Sequence, residues 1–216
     1  MFDYETESLW NAISGEAVKG ELKGKKLREI TSIQKIQWKE WKVLHPDTKV
    51  LTYKGKESAG YDNYREYHKS KTKTGIIRVA NKDKRLRPKD TVIALKIEGK
   101  QKAYPLNIFK NRKIVSDSFQ KRDLLFYHDH LTNNTIVYIR KIGKTILEFP
   151  DINNPLLLQK SYDIIIDKTT GTKWDMKSGM AIDGALKGKE LEMIEFKNVY
   201  WFVWADHYPD TEIYKQ

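Results

Sequence analysis

The chain has 216 residues, of which 39% are hydrophobic and 12% aromatic, so it can bury a sizeable core. No apolar run reaches the ~18 residues of a membrane-spanning helix. Cysteine is absent, which excludes disulfides, thiolate metal sites and a cysteine nucleophile within this sequence.

The net charge of +11 makes a basic nucleic-acid-binding protein one hypothesis. Lysine outnumbers arginine 32 to 8, whereas nucleic-acid sites use arginine for bidentate and stacking contacts. We therefore favour a solvated lysine surface and keep nucleic-acid binding as an alternative.

The first 50 residues predict short strands followed by one short helix. Residues 15–30 alternate apolar and polar positions around a turn at 23–25. Thr31 and Gln34 form a capping-box pattern for a helix that Pro46 ends. The apolar side chains on one face of that helix are Trp38, Trp41 and Leu44.

The middle of the chain predicts a series of short strands. Residues 53–75 are the least apolar, but their four tyrosines indicate an ordered segment. Strand signals dominate from 75 to 166, with tight turns at 98–100 and at Asn133-Asn134. The strand-like runs are GIIRVA, TVIALKI, QKAYPL, DLLFYHDHL, TIVYIRKI, TILEF and YDIIID.

The last 50 residues predict the same elements as the first 50. Asn198 is a candidate helix cap, Trp201, Trp204 and Tyr208 share one helical face, and Pro209 ends the helix.

This similarity is a duplication. Residues 3–30 align with residues 167–194 at an offset of 164, with 13 identities in 28 positions. One residue is then deleted from the second copy. At the resulting offset of 163, Trp38, Trp41 and residues 46–48 align with Trp201, Trp204 and residues 209–211. The identities include Asp3/Asp167, Trp10/Trp174, Gly15/Gly179, Gly20/Gly184 and Leu27/Leu191. The period is too long for a solenoid, so a domain-scale unit was copied.

These patterns predict a mainly β fold, α+β with few short helices, containing an internal duplication of a β-rich unit. Residues 1–56 would be the C-terminal part of the first repeat, which is partial. Residues 57–90 would form a tyrosine-containing connection, and 91–216 the complete second repeat. The parts are expected to form one compact body.

The chain resembles the bacterial domain-of-unknown-function family numbered 3179 over nearly its whole length. The resemblance rests on the MFDYETESLW start, the Gly15-x-Ala17-x-x-Gly20 spacing, Trp38-x-x-Trp41 with Pro46-Asp47-Thr48, the tyrosines at 61–67, Arg85-Leu86-x-Pro88-Lys89 and Lys102-Ala103-Tyr104-Pro105-Leu106. The resemblance implies no biochemical activity.

Family members carry an earlier segment that runs into the Asp-x-x-Thr turn, so the resemblance implies that the first repeat is truncated. A missing N-terminal half or a protein partner would then cover it, and residues 1–50 should show an unpaired strand edge or an exposed apolar surface. The family's first unit also commonly carries a Tyr-Cys-Pro-x-Cys motif. The stretch that corresponds to it here, 126–130, has no cysteine, so a two-cysteine site is not implied.

His128 and His130 are the candidate metal ligands. At positions i and i+2 of a strand they would point to one face, and copper or zinc favours imidazoles placed in this way. A third ligand would have to come from His45, His68 or an aspartate. The alternative is that both are polar residues near a strand end, exposed or in a hydrogen-bond network, without a metal.

The candidate ligand-binding residues are Asp117, Tyr127, Trp10 and Trp174. Asp117 lies in a turn-like Ser-Asp-Ser segment, and Tyr127 precedes the histidine pair. The tryptophans could form a stacking platform, although their spacing is more typical of packing anchors. Asp3 and Asp167 begin Asp-x-x-Thr turns, in which an aspartate usually accepts local backbone N–H bonds.

We carry three functional hypotheses. The first is a non-catalytic structural or ligand-binding module, the second a metal-dependent or redox enzyme using the His128/His130 strand, and the third a basic nucleic-acid-binding protein. The N-terminal residues lack an export-signal pattern, so a cytoplasmic location is the default, and the cell envelope or secretion applies if an upstream segment exists.

Overall fold

The structure is a computed structural model that describes residues 1–28, 38–50, 66–70, 72, 74, 79–153 and 163–215. Strands dominate, which confirms the predicted mainly β fold class. None of the helices in these residues is long and apolar enough to cross a membrane. The strands are β1 (Phe2–Asp3), β2 (Ser8–Trp10), β3 (Ala17–Lys19), β4 (Thr91–Ile97), β5 (Lys100–Pro105), β6 (Ile114–Phe119), β7 (Arg122–Asp129), β8 (Asn134–Ile139), β9 (Lys141–Ile142), β10 (Thr145–Ile146), β11 (Ile164–Ile166), β12 (Lys173–Asp175), β13 (Met180–Asp183), β14 (Lys197–Tyr200) and β15 (Glu212–Ile213). The helices whose bounds lie in these residues are α1 (Trp38–Leu44), α2 (Trp201–His207) and a 3-10 turn at Leu106–Phe109, and residues 66–69 are also helical.

The β4–β5 hairpin forms the centre of a four-stranded sheet with the order β14-β4-β5-β15. Its turn is the predicted one, since Glu98 and Gly99 both have positive φ angles, of 49° and 77°. The C-terminal segment supplies both outer strands: β14 runs antiparallel to β4, and β15 runs parallel to β5. Residues 197–213 therefore occupy both edges of the hairpin.

A second sheet has the order β6-β7-β8. The predicted turn at Asn133 precedes β8, and Asn133 has a positive φ angle of 54°. One face of this sheet packs on the β4–β5 hairpin through Leu124, Phe126 and Val137. The opposite face packs alternate residues of β7 and β8 against side chains between residues 165 and 191. The β6–β8 sheet is therefore buried on both faces.

Two three-stranded sheets, β1-β2-β3 and β11-β12-β13, come from the two ends of the chain. A further two-stranded sheet pairs β9 with β10. We call the segment at 2–48 the N-terminal copy and the segment at 164–211 the C-terminal copy.

Two predicted elements are wrong and others lie outside the described residues. The Ser-Asp-Ser segment at 116–118 is not a turn, because it pairs with β7 as part of β6. Asn198 is not a helix cap: it lies in β14 opposite Ile93, and α2 begins at Trp201 after Tyr200. Backbone carbonyls of Asp90 and Pro88 accept the first amides of α2 instead, so tertiary contact replaces a side-chain cap. The Thr31/Gln34 pattern, the tyrosines at 53–64 and the strand signal at 75–78 fall outside the described residues.

Candidate functional site

The two copies have the same backbone pairing. In the N-terminal copy Phe2 pairs with Leu9 and Trp10 with Ala17; at an offset of 164, Ile166 pairs with Lys173 and Trp174 with Ala181. Both sheets have an irregularity directly before the tryptophan, at 9–10 and at 173–174. The duplication read from the sequence is therefore present as matching local structure.

The aspartate turn explains why each copy folds locally in this way. Asp167 accepts hydrogen bonds from the Thr170 hydroxyl, at 2.8 Å, and from the Trp174 indole, at 2.9 Å. Burial works against its charge, but these bonds and the backbone amides outweigh it and hold the pKa of Asp167 below its usual value. In the N-terminal copy, the hydroxyl of Thr6 lies 2.5 Å from Asp3 and lowers the pKa of that carboxyl. The predicted turn chemistry is confirmed in both copies.

A glycine in each copy lets two backbone segments touch. Gly20 and Gly184 have φ angles of 94° and 100°. A Cβ on Gly184 would lie 2.8 Å from the Cα of Thr172, and one on Gly20 would collide with the backbone of Glu7 and Ser8. Only glycine fits these positions without a shift of the backbone.

The helices also match, at an offset of 163. The indole of Trp41 donates to the Thr48 hydroxyl at 2.8 Å, and that of Trp204 donates to the Thr211 hydroxyl at 2.9 Å. Each bond ties the helix to the turn that ends it. Among the described residues, which leave out 29–37, the matching geometry therefore includes the three-stranded sheet and the helix with its Pro-Asp-Thr turn.

The copies differ in what covers their inward-facing side chains. Trp38 and Trp41 are 48% and 36% exposed, whereas the equivalent Trp201 and Trp204 are 0% and 1% exposed. Leu27 is 47% exposed and Leu191 1%. Outward-facing residues do not differ in this way, because Val18 and its equivalent Ile182 are both exposed. The apolar surface of the N-terminal copy therefore includes the face that its twin buries.

The family model described as "Protein of unknown function (DUF3179)" matches residues 1–90 and again residues 72–216. The chain belongs to this family. No curated protein and no solved structure matches it.

In this DUF3179 chain the β6–β8 sheet covers the strands of the C-terminal copy. Phe149 packs edge-on against Trp174, with 6.4 Å between the ring centroids. The ring of Tyr138 lies against Gly179, where an added Cβ would come within 2.8 Å of it. Leu191 joins the same core cluster, and the segment after it bonds to β8 through Ile139.

The β4–β5 hairpin and the loop before it cover α2. Trp201 and Trp204 belong to one buried core cluster with Val92, Ala94 and Ala103 of the hairpin. Arg85 donates to the carbonyls of Pro209 and Thr211, at 2.9 and 2.7 Å. Its guanidinium also lies 5.2 Å from the Trp201 ring centroid.

The N-terminal copy contacts the rest of the chain through its β2–β3 loop. Ile13 packs on the cluster that contains Trp201 and Trp204, and Asn11 Nδ2 lies 3.4 Å from His207 Nδ1. A cleft of about 490 Å³ opens beside this contact, lined by Leu27 and Trp204 among others. This loop contact leaves the tryptophans of α1 exposed.

Tyr127 lies in a partly buried polar cluster that sequence reasoning missed. Its hydroxyl donates to Asp163, which also pairs with Lys177 at 3.0 Å, and burial raises the pKa of Tyr127. Lys113 is buried beside Asp163 and Asp129, and burial lowers its pKa. The members lie at four separate positions, 113, 127, 163 and 177, so no local spacing could have revealed them.

The predicted histidines do lie together. The ring centroids of His128 and His130 are 4.8 Å apart, which agrees with their placement on one face. His128 is buried, hydrogen-bonds to Thr135 at 2.9 Å and stacks on Phe109; burial lowers its pKa to about 4, so it is neutral. His130 Nε2 bonds to the Phe109 carbonyl at 2.7 Å. The two histidines are therefore not exposed polar residues at a strand end. Both form hydrogen bonds within the protein.

Neither His45 nor His68, two of the proposed sources of a third ligand, joins the histidine pair. His68 bonds to the Tyr200 hydroxyl at 2.8 Å, and His45 packs on Trp41. Among the described residues, no three His, Asp or Glu side chains are grouped as metal ligands.

Asp117 lies in β6, away from Tyr127 and the histidines. It accepts a hydrogen bond from Tyr104 at 2.7 Å and pairs with Lys102 at 2.9 Å. Lys102 also pairs with Glu212 of β15 at 2.8 Å. Burial opposes the charge of Lys102, but both acids outweigh it and raise its pKa. Asp117 thus helps to attach the C-terminal strand to the central hairpin.

Proposed function

We propose that this chain is a non-catalytic, β-rich binding module whose N-terminal copy receives a protein partner. The observation that supports it is the exposure of Trp38, Trp41 and Leu27 in a copy whose twin buries the same three positions. Tryptophans of this kind dominate protein–protein binding energy when a partner desolvates them. Exposed large apolar side chains that a related environment buries are typical of an interaction site.

The alternatives have less support in the geometry. Among the described residues no third His, Asp or Glu side chain is grouped with His128 and His130, so a metal-dependent enzyme lacks a complete set of ligands at this pair. Lys89, Lys102 and Lys113 are buried, so part of the positive charge is not open to a phosphate backbone.

Site-specific photo-cross-linking in the source cells tests this proposal. A benzoylphenylalanine at Leu27 or Trp38 should give an adduct of one defined mass. The same probe at Val18, exposed on the outward face of the same copy, is the matched control and should give none. The proposal fails if Leu27 and Trp38 give no adduct, or if Val18 gives the same one.

A further inference from the structure

We infer that the cleft between the N-terminal copy and the four-stranded sheet binds a small organic anion with a flat apolar body, such as an aromatic carboxylate or sulfonate. The cleft has a volume of about 490 Å³, which is in the range of small-molecule sites. This site goes beyond the proposed protein–protein function and does not depend on it, because the described lining of the cleft does not include α1.

The cleft is present because α2 covers only part of one face of the four-stranded sheet. Val92 and Ala94 of β4 are buried in the core cluster that contains Trp204 of α2. Alternation along β4 places Lys96 on the same face, closer to the turn at 98–99. Lys96 is exposed and lines the cleft. The sheet face therefore continues past the buried cluster and forms one wall of the cleft.

The N-terminal copy supplies another wall. Ile13 packs on the core cluster of α2, and Ser14 and Leu27 line the cleft beside it. The amide of Leu27 donates to the carbonyl of Gly15 at 2.8 Å, which holds Leu27 next to this loop. The walls of the cleft thus come from segments that are distant in sequence, and the space between them is left unfilled by either segment.

Aromatic side chains provide the apolar surface that a flat ligand needs. Phe196, Trp204 and Tyr208 line the cleft. The rings of Trp204 and Tyr208 lie against each other, with 4.6 Å between their centroids. Rings of this kind offer a large and rigid contact area. A planar ring system in the cleft would contact these side chains and the aliphatic side chains of the N-terminal copy.

The charged side chains of the cleft favour an anion. Its lining includes three lysines and one glutamate, which are Lys26, Lys96, Lys197 and Glu195. The ion pairs of the described residues include neither Lys26 nor Lys96. An amine beside apolar walls attracts an acid group more strongly than one in open water, because the local dielectric constant is lower. The acid group of the ligand would therefore bind Lys26 or Lys96.

The aromatic walls distinguish this ligand from an inorganic anion. A phosphate ion would use the lysines alone and would leave the apolar surface of Phe196 and Trp204 without a contact. Binding energy from both kinds of surface requires a molecule that joins an acid group to an apolar body. Inorganic phosphate is therefore a control ligand in the test of this site.

Titration of the full chain with 8-anilinonaphthalene-1-sulfonate tests the site, because this probe joins flat aromatic rings to one acid group. We expect one saturable site per chain, with an affinity that falls as the salt concentration rises. N-phenyl-1-naphthylamine has the same rings without the sulfonate, and it should bind about tenfold more weakly or worse. Inorganic phosphate at the concentration of the probe should not displace it.

The lysines of the cleft can be tested by a charge-matched pair of double variants. Lys26→Gln/Lys96→Gln should weaken binding of the probe by about tenfold or more, because it removes the cations that hold the sulfonate. Lys110→Gln/Lys144→Gln removes the same charge from exposed positions outside the described lining. This control should bind the probe as the natural chain does.

A second pair of variants tests the space itself. Ser14→Phe places a ring in the cleft and should abolish saturable binding. Ala12→Phe adds the same ring to an exposed position of the same loop, outside the described lining, and should bind the probe normally. Thermal unfolding checks that each variant is folded. If Ser14→Phe does not fold, the lysine variants decide, because their positions are exposed.

Several outcomes would overturn the inference. These are the absence of a saturable site, equal binding of the uncharged probe, displacement by phosphate, or an equal loss in the two lysine pairs. Normal binding in a folded Ser14→Phe variant would also overturn it. Loss of binding in Trp38→Ser/Trp41→Ser would place the probe on α1 and would do the same. Cross-linking at Trp38 tests the protein partner separately, so either proposal can fail while the other stands.

Discussion

The N-terminal and C-terminal copies share one local structure and have different surroundings. The same strand register, aspartate turn and helix-to-threonine bond occur in both. Only the C-terminal copy is covered by the β4–β5 and β6–β8 sheets, so Trp201 is buried where Trp38 is exposed. The comparison shows that short-range hydrogen bonds are enough to specify the backbone conformation of each copy. The burial of its side chains depends on the other segments that pack against the copy.

The largest expected difference between the copies is at the first helical tryptophan. Trp201→Ala should destabilise the chain by about 3 to 5 kcal/mol, because it removes a fully buried indole from a packed cluster. Trp38→Ala should cost about 1 kcal/mol or less, since the residue is half exposed. Urea unfolding of both variants beside the natural chain measures the two values. Equal losses would show that Trp38 is also packed in solution.

The local elements could be predicted because their signals are contiguous. The run TVIALKI predicted β4 at its observed bounds, and Asn133 marked the turn before β8 through its tolerance of a positive φ. The tryptophan spacing and Pro46 predicted α1. The sequence offset also predicted which residues of the two copies would be structurally equivalent.

The rest depends on contacts between distant segments. The propensity of Asn198 for a helix cap was overridden by strand pairing with Ile93. The cluster of Tyr127, Asp163 and Lys177 joins segments that no spacing rule connects. The exposure of Trp38 was expected only from the resemblance, since an identical residue type in an identical motif does not reveal what covers it.

The glycine pair sharpens the comparison. Gly15 and Gly179 have φ angles of 68° and 77°, so alanine at either should cost about 1 to 2 kcal/mol of left-handed strain. Gly179→Ala should lose about 1 to 3 kcal/mol more, because its Cβ would enter the ring of Tyr138. Thermal unfolding measures both variants.

Gly20→Ala and Gly184→Ala control for the glycine pair. Each would collide with the backbone of its own copy, so both should reduce stability to a similar degree. Equal losses at Gly15 and Gly179 would show that Gly15 is packed as closely as Gly179.

The smallest expected difference is at the aspartate turns. Asp167→Asn should cost about 1 to 3 kcal/mol near neutral pH, because a buried carboxylate accepts bonds from Trp174 and Thr170. Asp3→Asn should cost much less, since that turn is open to solvent and water can replace its bonds.

The acid dependence separates a charge effect from a packing effect at Asp167. Its pKa in the folded state lies below the ordinary value of 3.8, so the unfolded chain binds the proton first as the pH falls. The contribution of the carboxylate is therefore complete above about pH 4 and is lost as the pH falls through the folded-state pKa. Urea unfolding from pH 7 to pH 2.5 should show the natural chain losing its advantage over Asp167→Asn in this range. A difference that stays constant with pH would mean that the asparagine perturbs packing and that the buried charge contributes nothing.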